Sequence, residues 1–218
     1  MKKVLTCLAI IMAIANSSSH AQSTRVNVYT SYVFDDAVDS YFDNSNYYRG
    51  KIKGGLQWGA GIEYKMHPMQ GIELLYLRQD TKAPMEYYQS GIKFTEFDLT
   101  ASYLMLASNR YFSKPGSRVE GFGGGMIGAT FMNLTNPANG NSGTKTKFAW
   151  GIRGGANIWA SPVIGIKLQA QLLSAVQSVG GGFYFGTGGL GTGLATYSSV
   201  YQFSLGGGLV FNFNAAKK

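Results

Sequence analysis

The sequence is poor in the residues from which active sites and disulfide scaffolds are made. It holds one cysteine and two histidines in 218 residues. Cys7 and His20 both fall in the N-terminal leader described below, so the mature chain is expected to keep no thiol and one histidine, His67. That excludes disulfides, Cys-ligated metals and cysteine nucleophiles. Charged residues make up 14% of the chain and prolines number 5. After Ala21 no apolar run approaches the ~20 residues that a spanning helix needs, so any membrane crossing must be made by strands. The basic residues are scattered, and without a basic stripe nucleic-acid binding is not expected. Nothing in the composition calls for a metal or another cofactor.

Residues 1–21 read as an export signal. Lys2 and Lys3 form a positive start, an apolar stretch runs to Ala15, and Ser19-His20-Ala21 offers a small-x-small cleavage pattern. Three segments follow from this: a cleaved leader at 1–21, one domain at 22–214 and a short basic tail at 215–218. Losing Lys2 and Lys3 takes the formal charge from +8 to +6.

What the chain has in quantity is glycine (30), tyrosine (14) and phenylalanine (13). Its last stretch shows how they are arranged. Tyr201, Phe203, Leu205, Gly207, Leu209, Phe211 and Phe213 alternate with Gln202, Ser204, Gly206, Gly208, Val210 and Asn212. A period of two places successive side chains on opposite faces, which is the signature of a strand. Seven further segments carry strand patterns, at about 24–34, 51–66, 71–79, 94–112, 118–133, 147–160 and 163–178. The connections between the eight alternate long and short. The short ones contain Pro68, Pro115 and Pro162, and the long ones cover 35–50, 80–93, 134–146 and 179–195. Even strand number with alternating short turns and long loops is the pattern of a transmembrane barrel. The expected fold is all-β, an eight-stranded antiparallel up-and-down transmembrane β-barrel.

Parity then sorts the side chains. Glu63, Lys65, Glu73, Asp98, Glu120, Arg153 and Lys167 stand opposite apolar stripes and are expected to line the lumen, with Arg153 and Lys167 paired to some of the acids. Strand four is read with Phe97, Leu99, Ala101, Tyr103, Met105 and Tyr111 on its apolar face. Tyr64, Tyr111, Phe211 and Phe213 fall near strand ends on the short-turn side and are expected to form an aromatic girdle at the membrane interface. In the long loops, Asp35, Asp36, Asp39, Tyr41, Phe42, Asp43, Tyr47 and Tyr48, together with Phe183, Tyr184 and Phe185, are candidates for contact with a surface ligand or protein.

Two chemical signals are set aside. Gly123-x-Gly125-x-x-Gly128 and Gly186-x-Gly188-x-x-Gly191 match a dinucleotide fingerprint as text, but neither leads into a helical pattern. His67 sits in a short turn, away from the rim where a catalytic base would meet substrate. The expectation is a non-enzymatic protein.

These features together resemble the small outer-membrane β-barrel family of Gram-negative bacteria, the OmpA-barrel, OmpX and OmpW-like proteins. The likeness rests on the exported N-terminus, the eight alternating strands, the short proline turns, the glycine-rich run from Glu120 to Phe131 and the terminal strand ending at Phe213. The resemblance implies an outer-membrane location, contact with outer-membrane lipid, and reading of the terminal aromatic strand by the barrel-assembly machinery. It implies a barrel that anchors surface loops for envelope or partner interaction, or alternatively a narrow, OmpW-like channel or conduit for small or hydrophobic molecules.

Overall fold

The computed structural model describes residues 23–41, 47–88, 92–137, 140–176, 182–186, 189–193 and 200–213; the expected leader at 1–21 and the expected tail at 215–218 lie outside them. Twelve strands occur among the described residues: β1 (Ser23–Val33), β2 (Asp36–Tyr41), β3 (Tyr47–Ile52), β4 (Gly55–His67), β5 (Gln70–Tyr88), β6 (Ile92–Phe112), β7 (Val119–Thr135), β8 (Ser142–Trp159), β9 (Ile164–Ala175), β10 (Gly182–Gly186), β11 (Gly189–Gly193) and β12 (Val200–Asn212). Eight of them close a ring in the order β1-β4-β5-β6-β7-β8-β9-β12, every neighbour antiparallel. Closure is completed by β12, which pairs β9 on one edge and β1 on the other, so this sheet has no free edge along its span.

The alternation decides which face is which. Leu56, Trp58, Ile62, Leu74, Leu104, Leu106, Ile127, Phe148, Ile152, Ile166, Leu168, Leu205 and Leu209 all point outward and are half exposed. A continuous apolar belt of this extent is rare on a water-soluble monomer; in a bilayer it faces lipid. The opposite parity fills the interior, where Glu63, Glu73 and Lys167 have no exposed surface.

The barrel is taller on one side. β5, β6, β7 and β8 have 19, 21, 17 and 18 residues, against 11, 12 and 13 for β1, β9 and β12. The stretch 80–93, expected as a loop, is mostly the continuation of β5 and β6, which pair as far as Tyr88 and Ile92. Polar residues such as Thr81, Lys82, Glu96 and Asp98 alternate there as strand residues above the lipid belt. The first long loop also contains structure, the β2–β3 hairpin, whose second strand pairs β5. The last long loop contains the separate hairpin β10–β11.

Gly123, Gly125 and Gly128 lie inside β7, paired on both edges, rather than at a turn into a helix. The glycines of β12 have a packing reason instead. Gly208 points into the lumen beside Tyr29, and a Cβ there would meet the Val28 carbonyl oxygen at 1.7 Å. At Gly123 a Cβ would meet nothing within 4 Å. Gly208→Ala is therefore expected to destabilise the refolded barrel by about 1–3 kcal/mol, the usual range for overpacking. Gly123→Ala should leave the urea midpoint within error, read by the mobility difference between folded and unfolded forms on gels.

A braced lumen as the candidate functional site

The inner face of β1 reads Arg25, Asn27, Tyr29, Ser31, Val33, all buried. Arg25 is carried toward the short-turn end, opposite Glu63 on β4 and Asn212 on β12. Glu120 starts the inner face of β7, four strands from β1 in either direction around the ring. The Arg25 guanidinium donates to both Glu120 oxygens, at 2.7 and 3.2 Å, so this ion pair spans the diameter of the barrel. Lys65 Nζ donates to the same carboxylate at 2.8 Å and Asn157 Nδ2 at 3.0 Å. Tyr111 and Trp159 supply ring faces to the Arg25 guanidinium at 5.1 and 4.8 Å, which supports a cation whose water has been removed.

One layer further in, Glu73 accepts from Arg153, from the Tyr29 hydroxyl and, at 2.8 Å, from Asn27 Nδ2. Asn109 joins this layer to Glu63: its Oδ1 accepts from Arg153 at 3.0 and 3.1 Å, and its Nδ2 donates to Glu63 at 3.1 Å. Glu63 also accepts from the Tyr111 hydroxyl. Lys167 stands apart. Its Nζ has no hydrogen-bond partner and lies over the rings of Phe122 and Tyr29, at 4.6 and 5.5 Å from their centroids.

Toward the loop side the braces become neutral. Tyr103 donates to Gln202 across the ring at 2.7 Å, Gln202 donates to Gln79 at 3.0 Å, and Gln171 donates to Gln57 at 2.9 Å. Facing them is an apolar inner wall that includes Leu75, Leu77, Met105, Met126 and Met132. Arg25 to Glu120 and Tyr103 to Gln202 thus close opposite walls at two heights.

Glu63, Lys65, Glu73, Glu120, Arg153 and Lys167 line the lumen. Asp98 does not: it is exposed on the outer face of β6, above the lipid belt and opposite Lys82 of β5. The expectation took the apolar face of this strand as the lipid face. In β6 the inward set is itself apolar, Phe97 to Ala107, and the uninterrupted pairing with β5 and β7 turns Asp98 outward. The same parity corrects Tyr111, expected in the girdle but only 1% exposed and bonded to Glu63 in the lumen. Phe112, next in sequence, occupies the outer position. Tyr64 and Phe211 point outward and are half-buried, and Phe213 is exposed.

Arg25, Tyr29 and Asn109 were not foreseen as lumen groups. Their signal was present for Arg25 and Tyr29, which alternate out of phase with the outward Val26 and Val28. Asn109 was concealed by the wrong parity assigned to β6.

Of the loop candidates, Asp35 and Asp36 have described side chains. Asp35 accepts from Lys51 Nζ and from the Gly54 N–H, both at 2.7 Å, and these donors hold its carboxyl below the usual range. Asp36 accepts from the Tyr201 N–H at 3.0 Å, while burial pushes its carboxyl up. Asp39 and Tyr41 belong to β2, Tyr47 and Tyr48 to β3, and Phe183, Tyr184 and Phe185 to β10. Phe42 and Asp43 lie outside the described residues. His67 Nδ1 accepts from the Met69 N–H at 3.3 Å within its turn.

A scan against protein-family models gives no match, and a search of curated proteins gives none. Solved structures do match. Neisserial surface protein A superposes with a TM-score of 0.53 at 13% identity, covering 89% of this chain and 98% of that one. The outer membrane protein OprG from Pseudomonas aeruginosa gives 0.55 at 10% identity, covering 88% and 96%. The chain has the fold of the small transmembrane β-barrels. At such identities the likeness extends to the fold alone.

Within that fold the Arg153–Glu73 pair is the innermost ion pair, with both side chains 0% exposed. Removing one partner of such a pair costs about 3–5 kcal/mol, because the other charge is left buried. Arg153→Met should show that loss in urea unfolding from micelles. The double change Arg153→Met with Glu73→Gln should recover more than half of it, since no uncompensated charge remains.

Proposed function

We infer that this chain is an integral outer-membrane protein without enzymatic activity, whose barrel is an anchor and whose loop-side strands carry its interactions. The observation supporting this reading most directly is the Arg25–Glu120 ion pair across the lumen, reinforced by Lys65 and backed by the Arg153–Glu73 layer. An eight-stranded barrel has an interior about wide enough for side chains, and these bridges occupy it from wall to wall. An ion entering would have to displace charge-assisted hydrogen bonds within a low-dielectric space.

The loop side supports the second half of the reading. The β2–β3 hairpin and the raised ends of β5 and β6 stand beyond the lipid belt, with Lys53 and Lys82 paired to Glu96 at 2.7 and 3.6 Å on their outer surface. The name of one structural neighbour, a surface protein, agrees with such a role. The partners proposed are outer-membrane lipid throughout, the barrel-assembly machinery during biogenesis through the strand ending at Phe213, and a surface ligand or protein at the loop side.

The test is electrical. Chain 22–218 refolded into a planar bilayer, with insertion verified by its heat-modifiable gel mobility, should give no discrete conductance steps. Regular steps that change with Arg153→Ala would overturn the anchor and support the narrow conduit instead. Failure to remain with the outer membrane on detergent-free extraction would remove both readings.

A further inference from the structure

The short-turn end of the barrel has a feature that neither the lumen nor the loops explain. An open groove of about 520 Å³ lies on its outside, lined by Met69, Phe112, Ser113, Lys114, Ser117 and Val119 among others. Its apolar side continues the lipid belt: Phe112 is 55% exposed, Val119 48% and Met69 44%. Its polar side is cationic. Lys114 lines the groove, and exposed Arg118 directly precedes Val119. Arg110 shares the outer face of β6 with Phe112 and lies over its ring at 5.9 Å.

Two facts give these cations a direction. None of the three has an ion pair with a carboxylate, and among the described residues every acid is either enclosed in the lumen or on the loop side. The loop rim is different: Lys51, Lys53, Arg78 and Lys82 each have an acidic partner. The groove is also built on ordered backbone. The turn is closed by the Ser117 N–H to the Lys114 carbonyl at 3.0 Å, with Gly116 at φ 77° supplying the left-handed position. Met69 is fixed beside Phe112 by the Tyr111 N–H, and Arg118 is tied to β8 by the Trp159 N–H, at 2.9 and 2.8 Å.

We propose that this groove binds an anionic phospholipid of the leaflet on the short-turn side, its acyl chain along Phe112, Val119 and Met69 and its headgroup phosphate among Arg110, Lys114 and Arg118. Lysine and arginine stems lie along apolar surface and bring their charge to headgroup level. Basic groups at that level attract anionic lipid. The groove meets both requirements: it runs from the belt into uncompensated positive charge. This assignment rests on the membrane-anchored reading.

The test uses chain 22–218 folded in zwitterionic micelles and titrated with short-chain phosphatidylglycerol, short-chain phosphatidylcholine or inorganic phosphate, with retained ligand counted by native mass spectrometry. Phosphatidylglycerol should bind more tightly than phosphatidylcholine. Its affinity should fall about fivefold for each cation removed in Lys114→Gln, Arg118→Gln and Arg110→Gln. Lys82→Gln at the loop rim should change nothing. These substitutions leave the lumen untouched, and the gel shift verifies folding in each sample. Equal affinity for the two lipids, or variants indistinguishable from the parent, would overturn the proposal. Inorganic phosphate that displaces phosphatidylglycerol at similar concentration would reassign the groove to a free anion. Failure of the anchor would be seen separately, as release from membranes without detergent.

Discussion

Among the described residues five cations and three acids, Arg25, Lys65, Lys147, Arg153, Lys167, Glu63, Glu73 and Glu120, are buried on the inner face of this barrel, and the need to compensate them governs the interior. An isolated charge in such a place is costly, and Lys167, which makes no hydrogen bond among the described residues, has the ring faces of Phe122 and Tyr29 beside it. The groups that satisfy the acids come from four different strands, β1, β4, β6 and β8. Glu120 on β7 depends on β1, β4 and β8, and Glu73 on β5 depends on β1 and β8. Because partners lie across the ring, the ion pairs also fix the register of strands that never touch along their backbones. A slip of one residue in β1 would turn Arg25 into lipid and leave Glu120 short of its bidentate partner.

Surface and interior are therefore two solutions to one constraint. Outside, lipid accepts only apolar side chains, and the outward parity of the spanning strands supplies them. Inside, closure leaves room for side chains but little else, and charge-assisted bonds near the turns give way to glutamine and tyrosine braces and then to methionine and leucine toward the loops. The polarity gradient gives the molecule two unlike ends. At the loop end Lys51, Lys53, Arg78 and Lys82 are paired with acids; at the turn end the exposed cations are uncompensated and adjoin the apolar belt.

Much of this architecture can be read in the chain. Strand number, the long-short alternation and the outward parity of seven strands follow from residue alternation, because lipid on one face imposes a strict period of two. The inward acids and bases on β4, β5, β7, β8 and β9 were legible for the same reason. β6 was not. It is apolar on both faces through Leu104, Met105, Leu106 and Ala107, so its polar residues were assigned to the lumen, and Asp98 and Tyr111 were placed on the wrong sides.

The sequence by itself determined the eight-stranded transmembrane fold, since period-two alternation and connection length are local properties of the chain. Only the tertiary structure decided which charges meet. Arg25 and Glu120 are separated by 95 residues and Arg153 and Glu73 by 80. Ring closure sets such partnerships, and no local pattern records them. The pairing of β6 with β5 and β7 likewise set which face of β6 points inward, and it brought Met69, Phe112 and Lys114 from two separate turns to one groove.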